Sequence, residues 1–378
     1  MRIGIFTLPP YINYGGILQA YALQEVLERM GHDVMVINTK PMPRRFYLPR
    51  RYRIPVYAKR LVKKIFINHR EVINREAQLT REYPLTYRET TRFIDQYIHN
   101  YYVDSVTDIC RDDFDAIVVG SDQLWRDAYM NAFIDNDHTN KFLAFAKDWN
   151  IKRYAYAASF TVDEWHYPPE VTPILASLAK KFIAISVRED SGVELCRKYL
   201  GIKAQHLLDP TLVLKPADYI KFVEAAATPK SDGDLFCYIL DPSDDKTNLI
   251  NSIAKKYGLK PFYIKERPFL DKCDISERCA PPVEKWLRSF MDAKFVVTDS
   301  FHGMAFSINF GKSFIAIGNE KRGMSRMSSI ARMFGIEDHL LLNTAGYNPS
   351  KSYVLPSSVA MKLDEERKKS YNFLSQIK

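Results

Sequence analysis

Five short stretches of the chain carry residues that can move protons or hold anions. In VVTDSFHGMAFSI, an apolar run from Val296 leads into Asp299-Ser300-Phe301-His302-Gly303. A histidine at a strand-to-helix turn can exchange protons near neutral pH, so His302 is a general acid/base candidate. Ser300 can cap the helix there, and Gly303 would leave room for a ligand to approach closely. The ordinary alternative is a capping or core histidine. In VVGSDQLW, a buried-type run delivers Gly120, Ser121, Asp122 and Gln123 to a strand end, where Asp122 could orient a hydroxyl or a catalytic group. The competing reading is a turn in which Ser121 and Asp122 cap the next helix. In ISVREDSG, Arg188 offers a planar fork suited to carboxylate or phosphate, or else merely opens a helix beside Glu189 and Asp190. In INYGGILQ, Gly15 and Gly16 stand at a helix start, where free N–H groups favour an anion; a plain tight turn would use the same pair. The stretch is neither a GxGxxG fingerprint nor a Walker loop. In KRGMSRMSS, Lys321, Arg322 and Arg326 lie near a helix start and could bind an anion or form a solvated basic face.

These residues need strands and helices to hold them. Arg2–Thr7 reads as a strand, and Ile17, Ala20, Tyr21, Leu23, Gln24 and Leu27 give the next segment a helical period up to Met30. Gly31 ends the helix and HDVMVIN is the second strand, a βαβ unit that implies a parallel sheet. DAIVVGSDQ, KRYAYAASF and FIAISVRE are short apolar runs ending in small or polar residues, as buried parallel strands do. After Asp209-Pro210-Thr211 the alternation resumes. LFCYIL, KPFYIK, KFVVTDS and SFIAIG are separated by helices near 246–257, 283–291 and from Gly303. The expected architecture is α/β, with two Rossmann-like domains facing a cleft. Residues 1–210 form the first domain, with a basic insertion at 41–70, and residues 211–355 the second. An amphipathic helix in 356–378 packs back on the first.

At 378 residues two domains are the natural expectation, and 46% apolar with 26% charged residues excludes a disordered chain. No run approaches the roughly 20 apolar residues of a membrane span. The N-terminal segment reads as a first strand rather than a signal peptide. Five cysteines show no metal-type spacing; Cys273 and Cys279 could be bridged, but thiols in a reducing, cytoplasmic setting are expected. No His/Asp/Cys cluster has ligand spacing, so neither a metal nor a cofactor is expected. The net charge of +9 is local: from Lys40 to Arg70 there are eleven Lys/Arg and no Asp/Glu, while the rest of the chain carries 43 basic against 45 acidic residues.

Taken in order, INYGGILQAYALQ, VVGSDQLW, SVREDSG, LDPTLVL and TDSFHGMAFSI resemble the polysaccharide pyruvyl transferase family over residues 3–339. The resemblance implies a GT-B-like fold, phosphoenolpyruvate as donor, no required nucleotide, and a pyruvate ketal on an envelope or capsular saccharide. It places His302 at the family's general acid/base position and Arg188 at a donor-holding position. Several family members show Arg-X-His where this chain has Ser300 two residues before His302, so one donor cation is missing or comes from elsewhere, with Arg326 and Arg322 nearest in sequence. On this reading Arg188, Arg326, Arg322, Ser300, Gly15 and Gly16 bind the donor. Asn13, Tyr14 and Gln123 bind the acceptor, and Asp122 orients its diol for catalysis with His302. A nucleotide-sugar glycosyltransferase of the same architecture, or a non-catalytic glycan- or membrane-binding relative, are the alternatives. The acceptor can still be joined to a lipid carrier. The Pro-broken, aromatic-bearing basic segment 41–70 would then hold the enzyme at an anionic cytoplasmic membrane surface rather than on nucleic acid. Its first half is expected as a loop and Val56–Phe66 as a basic helix.

Overall fold

The computed structural model describes residues 1–39, 50–67, 69, 72–128, 134, 136–264, 274–319 and 323–378, with side chains at 50–52 left out. Lys321, Arg322, Arg44, Arg45 and Cys273 lie outside the described residues.

Seven described strands form the first sheet: β1 (Arg2–Phe6), β2 (Asp33–Asn38), β3 (Asn100–Tyr102), β4 (Ala116–Val119), β5 (Lys152–Ala158), β6 (Ala184–Val187) and β7 (Gln205–His206). All pair in parallel, in the order β3-β2-β1-β4-β5-β6-β7. Five more make the second: β8 (Leu235–Tyr238), β9 (Pro261–Tyr263), β10 (Phe295–Thr298), β11 (Ser313–Ile317) and β12 (Leu340–Leu341). They too are parallel, in the order β12-β11-β10-β8-β9. The central strands AIVV, LFCY and FVVT are buried throughout because helices cover both faces, which is why they read as unbroken apolar runs. The edge strands β3 and β7 carry no such run, and β12 is only two residues long, so sequence patterning does not mark them. Each sheet reverses its strand order at one place, between β1 and β4 in the first and between β8 and β10 in the second. In open α/β sheets such switch points, beyond the strand C-termini, are where ligands bind.

The two halves share one core. A single cluster of buried apolar side chains includes Ile3 and Tyr154 of the first sheet together with Phe306, Val296 and Phe373. Phe222 packs edge-on against Tyr21 and Phe93, each at 5.1 Å between ring centres. Polar contacts stitch the same seam: Arg92 reaches both oxygens of buried Glu284 at 2.8 Å, and Arg278 pairs with Glu82 at 2.7 Å. The C-terminal helix Ser358–Leu374 bridges the halves as well. Its Arg367 donates to Leu212 O (2.8 Å) and to Asn309 Oδ1 (2.8 Å), and Phe373 packs 5.9 Å from the Tyr156 ring of β5.

The basic segment departs from expectation. The helix there begins at Arg50, not Val56, and takes Pro55 inside it. Pro55 forgoes one backbone hydrogen bond. The helix is anchored by Arg60, which forks onto Glu76 (2.7 and 2.8 Å) and donates to Ile73 O (3.0 Å).

Candidate active site

The two switch points meet. Helix Tyr14–Arg29 starts beyond β1, capped by Asn13, whose Oδ1 accepts from Gly15 N–H (3.1 Å). Helix Phe301–Asn309 starts beyond β10, capped by Ser300, whose Oγ accepts from Gly303 N–H (3.4 Å). His302 projects from that first turn against Gly15: a Cβ built on Gly15 would lie 2.0 Å from His302 Nδ1 and 2.2 Å from its Cγ. The imidazole therefore occupies the space a side chain at position 15 would need.

Behind the histidine lies a buried ion cluster. Arg188, just past β6, donates through Nη1 to Asp209 Oδ2 (2.6 Å) and through Nη2 to Asp122 Oδ1 (3.0 Å). His302 Nε2 lies 3.8 Å from Asp209 Oδ2, an ion-pair distance too long for a hydrogen bond, and has no hydrogen-bond partner among the described residues. The other Asp209 oxygen accepts from Thr211 N (3.0 Å) and Thr211 Oγ1 (2.7 Å). Burial by itself would raise the Asp209 carboxyl. His302, Arg188 and Thr211 outweigh it and hold the group well below the usual carboxylate range. Two carboxylates thus converge on one guanidinium, with the His302 ring beside them. Asp122 sits at φ +66, a region costly for a residue with a side chain, and so strain is held at a residue of the cluster.

A second carboxylate pocket adjoins the first. Glu189 is fully buried, and its Oε1 accepts from Ser159 Oγ (3.1 Å), Phe160 N (2.6 Å) and Thr161 N (3.0 Å). Burial pushes its carboxyl up, against the pull of neighbouring Arg188. Arg326 and Arg188 both approach the Phe301 ring, at 5.2 and 4.8 Å. Gln123, with its amide oxygen turned to Arg326, accepts from both terminal guanidinium nitrogens at 3.2 Å.

His302, Asp122, Arg188, Gly15, Gly16, Ser300, Gln123 and Arg326 thus gather at one seam, with Gly16 facing Asp122 Oδ2. Several expected roles change. Arg188 has a fully buried side chain with both terminal nitrogens on carboxylates, an ion cluster that its sequence context does not disclose. Gly15 makes room for the imidazole, not for an anion. Gly303 makes room for Thr298, whose Oγ1 would lie 2.2 Å from an added Cβ, not for a ligand. Tyr14 is wholly buried, stacked 5.7 Å from Trp286 and donating to Pro281 O (2.7 Å), which removes it from acceptor binding. Asn13 spends its amide oxygen on the cap. Asp122 does not cap the following turn. Asp209 and Glu189 were missed as site residues. The signal for Asp209 is an aspartate set within the apolar run LLDPTLVL, a position that buries a charge and demands a partner.

Two facing parallel α/β domains, joined at their switch points by a histidine and a carboxylate–guanidinium cluster, define a two-domain Rossmann-like protein of GT-B form. The family model for polysaccharide pyruvyl transferases matches residues 13–321, and the chain belongs to that family. Membership makes it a transferase that acts on a saccharide. No curated protein matches the chain. Among solved structures it is similar to a UDP-GlcNAc 2-epimerase from Neisseria meningitidis bound to UDP-GlcNAc (11% identity, 100% of this chain and 98% of that one, TM-score 0.46). A glycosyltransferase from Rickettsia africae is similar at 11% identity (99% and 96% covered, TM-score 0.47). So is the UDP co-structure of MnaA from S. aureus, at 12% identity (99% and 93% covered, TM-score 0.48). Among the described residues, no group of His, Cys, Asp and Glu is placed to hold a metal, and no helix is long and apolar enough to cross a membrane.

Proposed function

We propose that the protein transfers the enolpyruvyl group of phosphoenolpyruvate to two hydroxyls of a saccharide, forming a pyruvate ketal and releasing phosphate. The observation that supports this reading most is the buried His302, seated against Gly15 and beside Asp209 within a chain of this family. Protonation of the donor's methylene carbon creates a carbon centre that a sugar hydroxyl attacks. His302 gives that proton and then takes the first hydroxyl's, while the second hydroxyl displaces phosphate, which leaves with that hydroxyl's proton as the ring closes. Asp209 stabilises the imidazolium form, and Arg188 fixes Asp209 and Asp122 so that Asp122 can orient the acceptor diol. Arg326, in place of an arginine at position 300, meets the donor's phosphate and carboxylate. The acceptor in this reading is still joined to its lipid carrier, which would bring the enzyme to the cytoplasmic leaflet.

Phosphate release from phosphoenolpyruvate, measured over a panel of lipid-linked and nitrophenyl glycosides, tests the reaction. His302→Asn should lower kcat by roughly 10²–10⁴-fold with the melting curve retained. Turnover within a few-fold of wild type would mean that His302 only packs against the helix. Stabilisation by UDP- or GDP-sugars, without any by phosphoenolpyruvate, would move the protein to nucleotide-sugar chemistry.

A further inference from the structure

The helix Arg50–Phe66 is amphipathic in the wrong sense for a protein surface. Its half-buried side is polar: Arg53, Tyr57, Arg60 and Lys64 lie there with Val56, Arg60 on Glu76 and Tyr57 donating to Asn74 Oδ1 (3.2 Å). The opposite side carries Ile54, Ala58, Leu61, Val62 and Ile65, spaced three and four residues apart, and all are exposed. Ile54 is 81% exposed and Ile65 51%, and Phe66 and Ile67 extend the patch at 77% each. Lys59 and Lys63 flank the stripe on the exposed side. An ordinary surface helix turns its apolar stripe to the core, and a contiguous apolar patch rimmed by charge marks a contact surface.

We infer that this helix lies in the plane of an anionic lipid surface, apolar stripe inserted and lysines on the headgroups. Charge decides among the possible occupants. With eleven Lys/Arg and no Asp/Glu from Lys40 to Arg70, a second copy of the chain would bring like charge against like. Single strands are held by bases stacked on successive rings, whereas Ile54, Ala58, Leu61, Val62 and Ile65 are aliphatic and Phe66 adds a single ring at the end of the patch. An anionic bilayer satisfies both the apolar stripe and the basic flank. The inference takes from the proposed reaction only its reason, a lipid-linked acceptor.

The test is co-sedimentation of the full chain with vesicles of phosphatidylglycerol and phosphatidylcholine, and with phosphatidylcholine alone, at low and high salt. The wild type should bind the anionic vesicles and lose about tenfold or more of that binding in high salt. Leu61→Asp with Ile65→Asp, and Lys59→Glu with Lys63→Glu, should each weaken it by about tenfold or more. Ile174→Asp, an exposed apolar residue on another helix, should leave it unchanged. Equal binding to neutral vesicles would overturn the inference, as would undiminished binding by the Leu61/Ile65 variant. A dimer in light scattering that this variant dissociates, or single-stranded nucleic acid bound in place of vesicles, would also overturn it. Phosphate release with a soluble glycoside, read on the same samples, separates the two readings. A wild type that binds vesicles without releasing phosphate sinks the reaction alone, and one that releases phosphate without binding sinks the membrane contact alone.

Discussion

Substituting alanine at Gly15 tests the arrangement of the site through one methyl group. The added Cβ would stand 2.0 Å from His302 Nδ1, 2.2 Å from Cγ and 2.7 Å from Cβ, whereas carbon atoms rest about 3.5–4.0 Å apart. Either the imidazole withdraws by roughly 1.5 Å or the helix start moves away from it. Overpacking of this kind costs about 1–3 kcal/mol. A misplacement of about 1 Å at a reacting group costs about 10²-fold in rate. Without the whole His302 side chain, Cβ included, the sign reverses, because alanine is the better helix former than glycine by up to about 1 kcal/mol. Urea melts of wild type, Gly15→Ala, His302→Gly and the double variant form a closed cycle. Gly15→Ala should destabilise the wild type by about 1–3 kcal/mol and be neutral or stabilising in the His302→Gly background. Its phosphate release should fall about 10²-fold. An equal cost in both backgrounds, or wild-type turnover in Gly15→Ala, would refute the contact and the catalytic placement built on it.

Arg188→Ala leaves Asp122 and Asp209 buried without their cation and should destabilise by about 3–5 kcal/mol in denaturant melts, with Asp209→Asn added to it restoring part of the loss. Arg326→Ala should instead weaken phosphoenolpyruvate binding by about 1.5–3 kcal/mol in titration calorimetry; unchanged affinity would place the donor's anion site elsewhere. The Asp209 carboxyl is depressed in the fold, so its contribution is complete above the unfolded value of about 3.9 and is lost as pH falls toward the lower folded value. Asp209→Asn should thus be less stable than wild type at neutral pH, with the gap narrowing below about pH 4; a gap independent of pH would refute this. Glu189 runs the other way. Its folded value is raised, so its favourable contribution exists below the unfolded value of about 4.3 and is lost as pH rises through the folded one. Glu189→Gln, which keeps an acceptor for Ser159, Phe160 and Thr161, should gain on the wild type as pH rises from acid to neutral.

What the sequence discloses and what it hides divide along contact range. His302, Asp122 and Arg188 are legible because each follows an apolar run, and a buried parallel strand delivers its next residues to the ligand-bearing edge. The cap by Ser300 is legible from its place before a helical run. The partners are not. Asp209 meets Arg188 and His302 only after two sheets have folded and docked, and nothing in Leu208-Asp209-Pro210 names them. Gly15 and Tyr14 adjoin in sequence, yet one abuts His302 and the other Trp286. Proline spacing suggests a loop before Val56, but the helix starts at Arg50 with Pro55 inside it, and its anchor, Arg60 on Glu76, belongs to tertiary structure.

The passage of the C-terminal helix back onto β5 has a consequence for how the protein is made. Tyr154 and Tyr156 are translated well before Phe373, which packs on Tyr156, and Gln376, whose O accepts from the Tyr154 hydroxyl (3.4 Å). A nascent first domain would therefore wait with part of its apolar surface uncovered, exposed to association with other chains, while the second domain is synthesised. Completion of the older domain waits on the helix at 358–374, so a lesion there would strike the stability of strands laid down long before it.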